Sequence, residues 1–390
     1  MKILLTIHHD LNPNAGASGA TWKLGQEYQK LGHEVEYYTF DRLPDKLPGL
    51  VKSIIFPGFV ASQISALVKK QAVDVVDAST GDAWIWAKMR RSSRENSPLL
   101  VTRSHGLEHS MHLENLEEAR RGNLDLSWKY SLYHGGFRLW EVATSLRYAD
   151  LVLLLNHRDA EYVVEKLGVN SEQMHIVANG IPEEFLNLPF EPMPEAEDST
   201  IYIAQVGNYI ARKGIKYGAA ALNAILARYP QLKISFLGTG CSEAEVHADF
   251  EPAIRDRIQV IPHYSHEALP NLLRGHHIKL FPTLSEGFSL ALTETMACGL
   301  APVTTTTPGA MEIVKNGYNG ILVPARHSQA IEQALERLVL DRPYLQQLRR
   351  NAYATAQRYS WERIARDNLA FYEETLSQRE GLSERYLSKV

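Results

Sequence analysis

Short, largely apolar runs alternate with longer segments of helical period along most of the chain. The runs at 2–7, 73–77, 201–206 and 278–281 are followed by polar or turn-forming residues, which is typical of strands buried on both faces of a parallel sheet. After each run, apolar residues recur every third or fourth position, and that period predicts a helix. The repeated order of strand and helix predicts an α/β fold with a mostly parallel sheet covered on both faces.

The length of the chain sets the number of domains. At 390 residues it is too long for one hydrophobic core and suits two. Prolines and acidic residues without apolar period occupy 187–200, so we predict a linker there. The first domain is then 1–186 and the second 201–355. The last segment, 356–390, carries an apolar stripe at helical spacing and is predicted to be helical.

Two segments of the first domain are less regular. Prolines and glycines in 41–58 predict a surface loop, followed by a helix over 59–71. The segment 127–147 is rich in aromatic residues and predicts a long helix packed into the core. An acceptor pocket or a contact with a lipid surface would use the same aromatic residues, and both remain open.

Composition and charge narrow the class of protein. A formal net charge of −4 with 22% charged residues lacks the positive field expected of a nucleic-acid-binding protein. Only two cysteines occur, Cys241 and Cys298, which predicts a reducing compartment without disulfides. The first apolar run is too short for a signal peptide, and no run approaches the roughly 18 apolar residues of a membrane-spanning helix. We therefore predict a cytoplasmic protein, peripheral at the inner face of a membrane at most.

Two glutamates lie where a ligand is expected. A loop after the strand ending at Phe281 contains Glu286 and Gly287, and the next helix contains Glu294 and stops at Gly299. Parallel sheets bind ligands at the carboxyl ends of strands, beside the N-terminus of the next helix. Carboxylates there can accept hydrogen bonds from sugar hydroxyls. Ordinary solvated helix glutamates would give the same spacing, which alone leaves both interpretations open.

A pair of cations, Arg212 and Lys213, follows the strand at 201–206. Gly207 and Gly214 flank this loop and give the backbone freedom, while Arg212 can fork onto phosphate oxygens and Lys213 can add a point charge. We interpret the pair as a phosphate site and not as two solvated cations. A diphosphate held by a metal ion would need paired carboxylates, and no Asp-x-Asp pair occurs, so no metal is predicted.

The order Glu286-Gly-Phe-Ser-Leu-Ala-Leu-Thr-Glu294-Thr-Met-Ala-Cys-Gly299 resembles a known signature, in which seven residues separate two glutamates. It is the signature of retaining glycosyltransferases of the GT-B fold, family 4 in particular. The loop from Gly207 to Gly214 is similar to the diphosphate site of the same family. The resemblance implies two Rossmann-like domains facing each other across a deep cleft, with the terminal helix crossing back to the first domain.

The same resemblance implies the reaction. A sugar would move, with retention of configuration, from a nucleotide-diphosphate-sugar co-substrate to a saccharide, lipid-linked or small-molecule acceptor, in glycan, polysaccharide or glycolipid synthesis. No further cofactor is implied. The nucleotide base, the donor sugar, the acceptor and the oligomeric state are left undetermined. Arg212 and Lys213 would stabilise the leaving diphosphate, and His105, after the strand at 99–102, would orient the reacting groups.

Further donor contacts are implied residue by residue. Glu294 would hold ribose hydroxyls. Gly238, which opens the Gly238-Thr-Gly240 segment after the strand at 232–238, fits a residue that lines the nucleotide base and fits a simple tight turn equally well. The remaining contacts are expected from Ser18, Gly19, Glu286, Gly287, Phe288, Ser289 and Leu290. The loop predicted at 12–21 carries Ser18-Gly19-Ala20 in place of the family's Gly-Gly-Ala. The segment 308–312 resembles another family loop but lacks its second glycine, and we assign it no role.

Three other functions fit parts of the sequence. A sugar phosphorylase or nucleotide-sugar epimerase of the same fold would share these motifs. His105-Gly-Leu-Glu-His109 spells the H-x-x-E-H arrangement of zinc peptidases, in which both histidines lie on one helical face, but Gly106 directly after a strand favours a loop. A carbohydrate-binding protein without catalysis is the third.

Overall fold

The structure is a computed structural model that describes residues 1–13, 16–44, 46–90, 97–193 and 199–387, with side chains through residue 379. It divides into two compact units. The first comprises Met1–Gly180 and Trp361–Val390, and the second comprises Ile181–Ser360.

The first unit contains a six-stranded sheet in the order β2-β1-β3-β4-β5-β6, and every neighbouring pair is parallel. Its strands are β1 Lys2–Ile7, β2 Glu34–Thr39, β3 Val75–Ser79, β4 Leu99–Arg103, β5 Leu151–Leu154 and β6 Met174–Ile176. Its helices are α1 Gly16–Lys30, α2 Gly49–Lys69, α3 Trp84–Met89, α4 Glu108–Arg120, α5 Trp128–Leu132, α6 Arg138–Tyr148 and α7 His157–Leu167. A π-helical turn, Tyr133–Phe137, joins α5 to α6.

The second unit repeats this architecture with the strand order β12-β11-β10-β7-β8-β9, again with parallel neighbours. Its strands are β7 Ile201–Val206, β8 Leu232–Leu237, β9 Ile258–Ile261, β10 Ile278–Phe281, β11 Ala301–Thr305 and β12 Ile321–Val323. Its helices are α8 Ile215–Arg228, α9 Glu243–His247, α10 Leu269–Leu273, α11 Leu290–Ala297, α12 Pro308–Ile313, α13 Ser328–Leu340 and α14 Arg342–Ala356. Two parallel sheets confirm the predicted α/β class.

The division between the units differs from the sequence prediction. Ile181 already belongs to the second unit, because its N–H donates to the carbonyl of Tyr359 at 2.7 Å. Part of the predicted linker, 194–198, lies outside the described residues. The part before it packs on α14, where the Arg349 guanidinium donates to the Glu191 carbonyl at 2.9 Å and the Tyr353 hydroxyl donates to the Leu188 carbonyl at 2.6 Å.

The loop predicted over 41–58 is wrong in its second half. α2 begins at Gly49 and continues through Pro57, so that Phe56 and Val60 enter the core of the first unit. By length and composition α2 is apolar enough to cross a membrane, which the sequence analysis overlooked. In the structure one face of α2 packs on the sheet layer of the first unit.

The C-terminal helix, α15 Trp361–Leu387, belongs to the first unit and packs against α1. The buried Tyr372 hydroxyl donates to Asp77 at 2.6 Å and lies 2.9 Å from the Tyr28 hydroxyl. Arg103 adds a two-pronged ion pair to Asp77, with its shortest contact at 2.7 Å, and donates to the Tyr372 oxygen at 3.0 Å. Burial of this ion pair is tolerated because each charged group also has hydrogen-bond partners.

We expect Tyr372→Phe to lower the free energy of unfolding by about 1–3 kcal/mol, because it leaves the Tyr28 hydroxyl and a buried Asp77 oxygen each short of a partner. Chemical denaturation measures the change. Tyr38→Phe, which removes the hydroxyl of a half-buried tyrosine in β2 of the same unit, is the control. Equal stability of wild type and Tyr372→Phe would show that the hydroxyl network does not hold the terminal helix in place.

Candidate functional site

The predicted phosphate and sugar residues meet at one edge of the second sheet. β7 and β10 are parallel neighbours, so the loops that leave their carboxyl ends lie side by side. The Leu284 N–H donates to the Arg212 carbonyl at 2.9 Å, and this contact joins the loop after β10 to the loop after β7. Residues far apart in sequence are thereby brought into one site.

Gly214 permits the close approach of these two loops. It has a φ of 70°, and a Cβ atom at this position would lie 1.8 Å from the Pro282 carbonyl oxygen. Any other residue would push the loops apart, besides being strained at this φ. The glycine therefore fixes the position of the cations that precede it in the chain.

The cations contact the carboxylate of the acidic loop directly. Lys213 Nζ donates to Glu286 Oε2 at 2.6 Å, and both side chains are largely buried. Arg212 Nη1 lies 3.9 Å from the same oxygen and donates to the Ser285 carbonyl at 3.1 Å, while its side chain is 46% exposed. Two positive groups and one carboxylate leave this edge with an excess of positive charge, which suits an anionic ligand.

The N-terminus of α11 adds to this charge. The Ser289 hydroxyl caps the helix by accepting from the Leu292 N–H at 3.3 Å, and Leu290 opens the first turn. The first N–H groups of a helix have no intrahelical acceptor and carry the positive end of the helix dipole. Phe288, just before the cap, is buried against Tyr359. The structure gives Phe288 a packing role at this position.

The start of α12 supports the acidic loop from below. The Gly309 N–H donates to the Glu286 carbonyl at 2.9 Å, and a Cβ on Gly309 would lie 2.6 Å from the Gly287 carbonyl. This support is not among the features predicted from the sequence, where 308–312 has no assigned role. Gly309 is the one glycine of the family's pair that this segment keeps, and it indicates a close approach of another backbone segment.

Glu294, in α11, belongs to a second cluster of polar residues in the same unit. Its side chain is buried in α11, and its Oε1 is 2.9 Å from His266 Nε2. Burial and the nearby Glu294 raise the pKa of Tyr264 to about 12. Gly238 lies against the Tyr264 ring, which a Cβ would approach to 2.8 Å. Neither His266 nor Tyr264 is among the residues predicted from the sequence, although polar residues directly after β9 indicate such a position.

A buried lysine also lies beneath the cationic loop. Lys279 is within β10, fully buried, and its Nζ donates to the Val206 carbonyl at 3.3 Å. Burial and, secondarily, the charge of Lys213 lower its pKa well below the usual lysine range. A lysine inside an apolar strand gave no motif to recognise, and it was missed from the sequence.

His105 belongs to the first unit, where it follows β4. Its Nε2 lies 3.3 Å from the Thr21 hydroxyl of α1. Burial, followed by the charge of Arg103, lowers the pKa of His105 to about 3, so the imidazole is neutral at physiological pH. α4 begins only at Glu108, so His105 and His109 do not share a helical face as the zinc peptidase arrangement requires. Among the described residues no group of three or more His, Cys, Asp or Glu side chains could hold a metal ion.

Ser18 and Gly19 are not in a loop as predicted, because α1 already starts at Gly16. The Ser18 hydroxyl accepts from the Asn12 N–H and donates to the Asp10 carbonyl, both at 2.8 Å. A Cβ on Gly19 would lie 2.5 Å from the Pro13 carbonyl oxygen. The structure thus gives both residues a local role, which is to hold the segment after β1 against the helix.

A polar cluster that the sequence analysis did not identify lies at the carboxyl end of β1. The His8 Nδ1 atom is 2.7 Å from the buried Asp82, and the Arg138 Nη2 atom is 3.1 Å from His8 Nε2. Arg138 also donates to Glu108 at 3.1 Å. Burial raises the pKa of neighbouring Glu141 to about 7. These residues are scattered in sequence, and no spacing indicates their proximity.

The sequence profile of the family described as Glycosyl transferases group 1 matches residues 191–355, and that of Glycosyltransferase Family 4 matches residues 15–185. The chain belongs to glycosyltransferase family 4. Both profiles together span nearly the whole chain and confirm the resemblance drawn from the glutamate signature. The proteins that these two profiles describe are glycosyltransferases.

Among curated relatives, an uncharacterized glycosyltransferase of Methanocaldococcus jannaschii is 26% identical over 222 residues, which cover 54% of this chain and 57% of the relative. The chain thus spans about half the length of the curated relatives it matches. Among solved structures, sucrose-phosphate synthase from Thermosynechococcus elongatus has a TM-score of 0.75 at 19% identity, with 97% of this chain and 99% of that chain covered.

A second solved structure, Anabaena HepE in complex with UDP-glucose, has a TM-score of 0.67 at 18% identity, with 97% of this chain and 100% of that chain covered. At these identities the likeness shows the fold alone. Together with the two parallel sheets it confirms the predicted GT-B fold with two Rossmann-like domains.

Proposed function

We propose that the enzyme takes its sugar from a nucleotide-diphosphate donor bound by the second unit and transfers it to an acceptor hydroxyl. One observation carries this proposal. The Arg212–Lys213 loop and Glu286 meet at the joined carboxyl ends of β7 and β10, beside the N-terminus of α11. Cations and helix N–H groups suit a diphosphate, and a carboxylate beside them suits sugar hydroxyls. HepE, whose fold is similar, was solved with UDP-glucose bound.

The reaction breaks the bond between the anomeric carbon and the diphosphate oxygen and forms one to the acceptor oxygen. Negative charge grows on the diphosphate as its bond breaks, so groups that interact more strongly with this charge in the transition state than with the bound donor lower the barrier. Arg212 and Lys213 are placed to do this. The acceptor hydroxyl loses its proton, for which the leaving phosphate oxygen is the natural base. Retention of configuration, which the family implies, is part of the proposal.

Glu286 has two tasks in this scheme. Without donor its carboxylate pairs with Lys213 at 2.6 Å. When a diphosphate binds Lys213, the ammonium leaves Glu286. The Glu286 carboxylate then accepts hydrogen bonds from donor-sugar hydroxyls, aided by the backbone near Gly287. We assign ribose hydroxyls to the buried Glu294, which His266 orients from 2.9 Å. Gly238, against Tyr264, leaves room for the nucleotide. The role of His105 stays a prediction from the family.

We further infer that the diphosphate charge is balanced by these cations without a divalent metal. The test is an assay of nucleoside diphosphate release from UDP-, GDP- and ADP-sugars, offered with saccharide and lipid-linked acceptors, with and without EDTA. We expect acceptor-dependent release that EDTA leaves within about twofold, since a metal contributing as a Lewis acid supplies several kcal/mol. Loss of turnover in EDTA, restored by Mg²⁺, would contradict the metal-independent scheme.

The same assay separates the alternatives. Release of sugar 1-phosphate in the presence of inorganic phosphate would indicate a phosphorylase, and a changed sugar without acceptor would indicate an epimerase. Donor binding without any turnover would indicate a binding protein. NMR of the anomeric proton in the product then decides retention, because an inverted product would exclude the proposed stereochemistry.

A further inference from the structure

The first unit exposes large apolar side chains on three neighbouring helical segments. Trp128 and Leu132 of α5 are 70% and 66% exposed, and Met89 at the end of α3 is 64% exposed. Leu50, Ile54 and Phe59 of α2 are each more than 40% exposed. Among the helices that the structure describes, α2 alone is long and apolar enough to cross a membrane, and such a helix usually buries its apolar side chains. Patches of this kind on a soluble protein mark surfaces that are covered by a partner.

The helical segments that carry these side chains pack against one another in sequence, from α2 through α3 and α6 to the π-helical turn and α5. α3 packs against both α2 and α6. Ile85 of α3 lies against Gly58 of α2, and the rings of Trp84 and Trp140 are 4.8 Å apart. Phe137 of the π-helical turn stacks on Trp140 with ring centroids 5.7 Å apart. The predicted packing of this aromatic segment into the core is therefore wrong for Trp128, Phe137 and Trp140, which face outward.

The exposed residues of α2 share one face of that helix. Val51, Ile54, Gly58, Phe59 and Ser62 recur at helical spacing and are exposed, whereas Phe56, Val60 and Ile64 point into the core. Only 28% of the most apolar 18-residue stretch of α2 is buried. A core helix of this composition would be buried mostly or wholly, so its outward face needs another apolar environment.

The charge of the surface is one-sided. None of the segments 49–69, 84–89 and 128–140 contains an Asp or Glu, although these make up 45 of the 390 residues. Lysines border the apolar residues instead. Lys88 lies 5.2 Å from the centre of the Trp140 ring, and Lys129 lies 5.9 Å from that of Trp128. Lys69 and Lys70 are exposed at the end of α2.

We propose that this surface, defined by Leu50, Ile54, Phe59, Trp128, Leu132 and Trp140, docks on the headgroup region of an anionic lipid bilayer. Tryptophan rings favour the membrane interface, and lysines favour a negatively charged leaflet. In a symmetric dimer through this face, the segments of the partner copy would offer the lysines no Asp or Glu, which disfavours a second copy as the occupant. α2 lies on the bilayer and does not cross it, because Phe56, Val60 and Ile64 hold it in the core of the first unit.

The test is flotation of the full chain with phosphatidylcholine vesicles, with and without phosphatidylglycerol, at low and high salt. We expect binding to the anionic vesicles that weakens with salt. Trp128→Gln/Leu132→Gln is expected to lower the partition coefficient by about tenfold through lost apolar contact. Lys88→Gln/Lys129→Gln is expected to lower it by about tenfold through lost attraction to the lipid charge.

Matched controls lie on the second unit. Leu340→Gln removes an exposed leucine, and Lys233→Gln/Lys315→Gln removes two exposed lysines. These variants should bind as wild type, and melting curves should show that all variants fold. Equal binding of wild type to both vesicle types, or wild-type binding by both surface variants, would overturn the proposal. So would self-association in light scattering that Trp128→Gln/Leu132→Gln abolishes while vesicles bind nothing, because a second copy would then cover the face.

Discussion

Replacing Lys213 with methionine is expected to lower kcat/KM for the nucleotide-sugar donor by about 10²–10³-fold, the usual cost of losing one preorganised charge contact to a developing anion. Lys213 is held by Glu286 at 2.6 Å and by the loop that Gly214 allows, so its ammonium is already in place when the donor binds. Methionine keeps the length of the side chain and removes the charge. Arg212→Ala should cost about 10²-fold or more by the same reasoning.

Steady-state kinetics across donor concentrations measure the Lys213 effect. Lys233→Met is the matched control, because Lys233 is exposed at the start of β8, at the opposite end of the strands from the site. It should change kcat/KM by less than about twofold, as expected for a surface lysine away from the site. Activity of Lys213→Met within twofold of wild type would remove Lys213 from the mechanism.

Glu286→Gln is expected to separate the sugar task of this residue from diphosphate binding. The amide keeps the shape of the side chain but loses the charge-assisted hydrogen bonds to sugar hydroxyls, so kcat should fall by about 10²-fold or more. Nucleoside diphosphate should bind at least as tightly as to wild type, because Lys213 and Arg212 no longer share their charge with a carboxylate.

Titration calorimetry with nucleoside diphosphate and turnover assays with the matching sugar donor measure the two quantities separately. Glu251→Gln, at an exposed glutamate of the second unit, is the control and should change neither. If Glu286→Gln weakened diphosphate binding and turnover to the same extent, Glu286 would be a structural support of the loop and not a contact to the sugar.

The strands of the sheets, and the cationic and acidic loops of the site, were predictable because the residues that indicate each of them lie together in the sequence. β7, β8 and β10 are short apolar runs buried in the core, and such runs indicate parallel strands directly. Arg212 and Glu286 each follow a strand, where the rule for ligand sites applies. The contact between Lys213 and Glu286 spans 73 residues in sequence, and only the adjacency of β7 and β10 reveals it.

The features that were predicted wrongly or not at all lack such local signals. α2 was divided into loop and helix because prolines carry strong local weight, whereas Pro57 is buried within the helix and tertiary packing decides its conformation. The start of α1 is built from small residues that show no apolar period. His266 and Gly309 act through partners distant in sequence, Glu294 and Glu286, so their local sequence could mark them as candidates but could not indicate what they contact.

The structure of the protein crystallised with UDP, or with the nucleoside diphosphate that the donor assay selects, tests the central claim most directly. The account places the diphosphate within hydrogen-bonding distance of the Arg212 guanidinium and Lys213 Nζ, in front of the N-terminus of α11, with the Lys213–Glu286 contact lengthened from its present 2.6 Å. The ribose hydroxyls should lie on Glu294. A nucleotide bound elsewhere, with the Lys213–Glu286 pair intact, would contradict it.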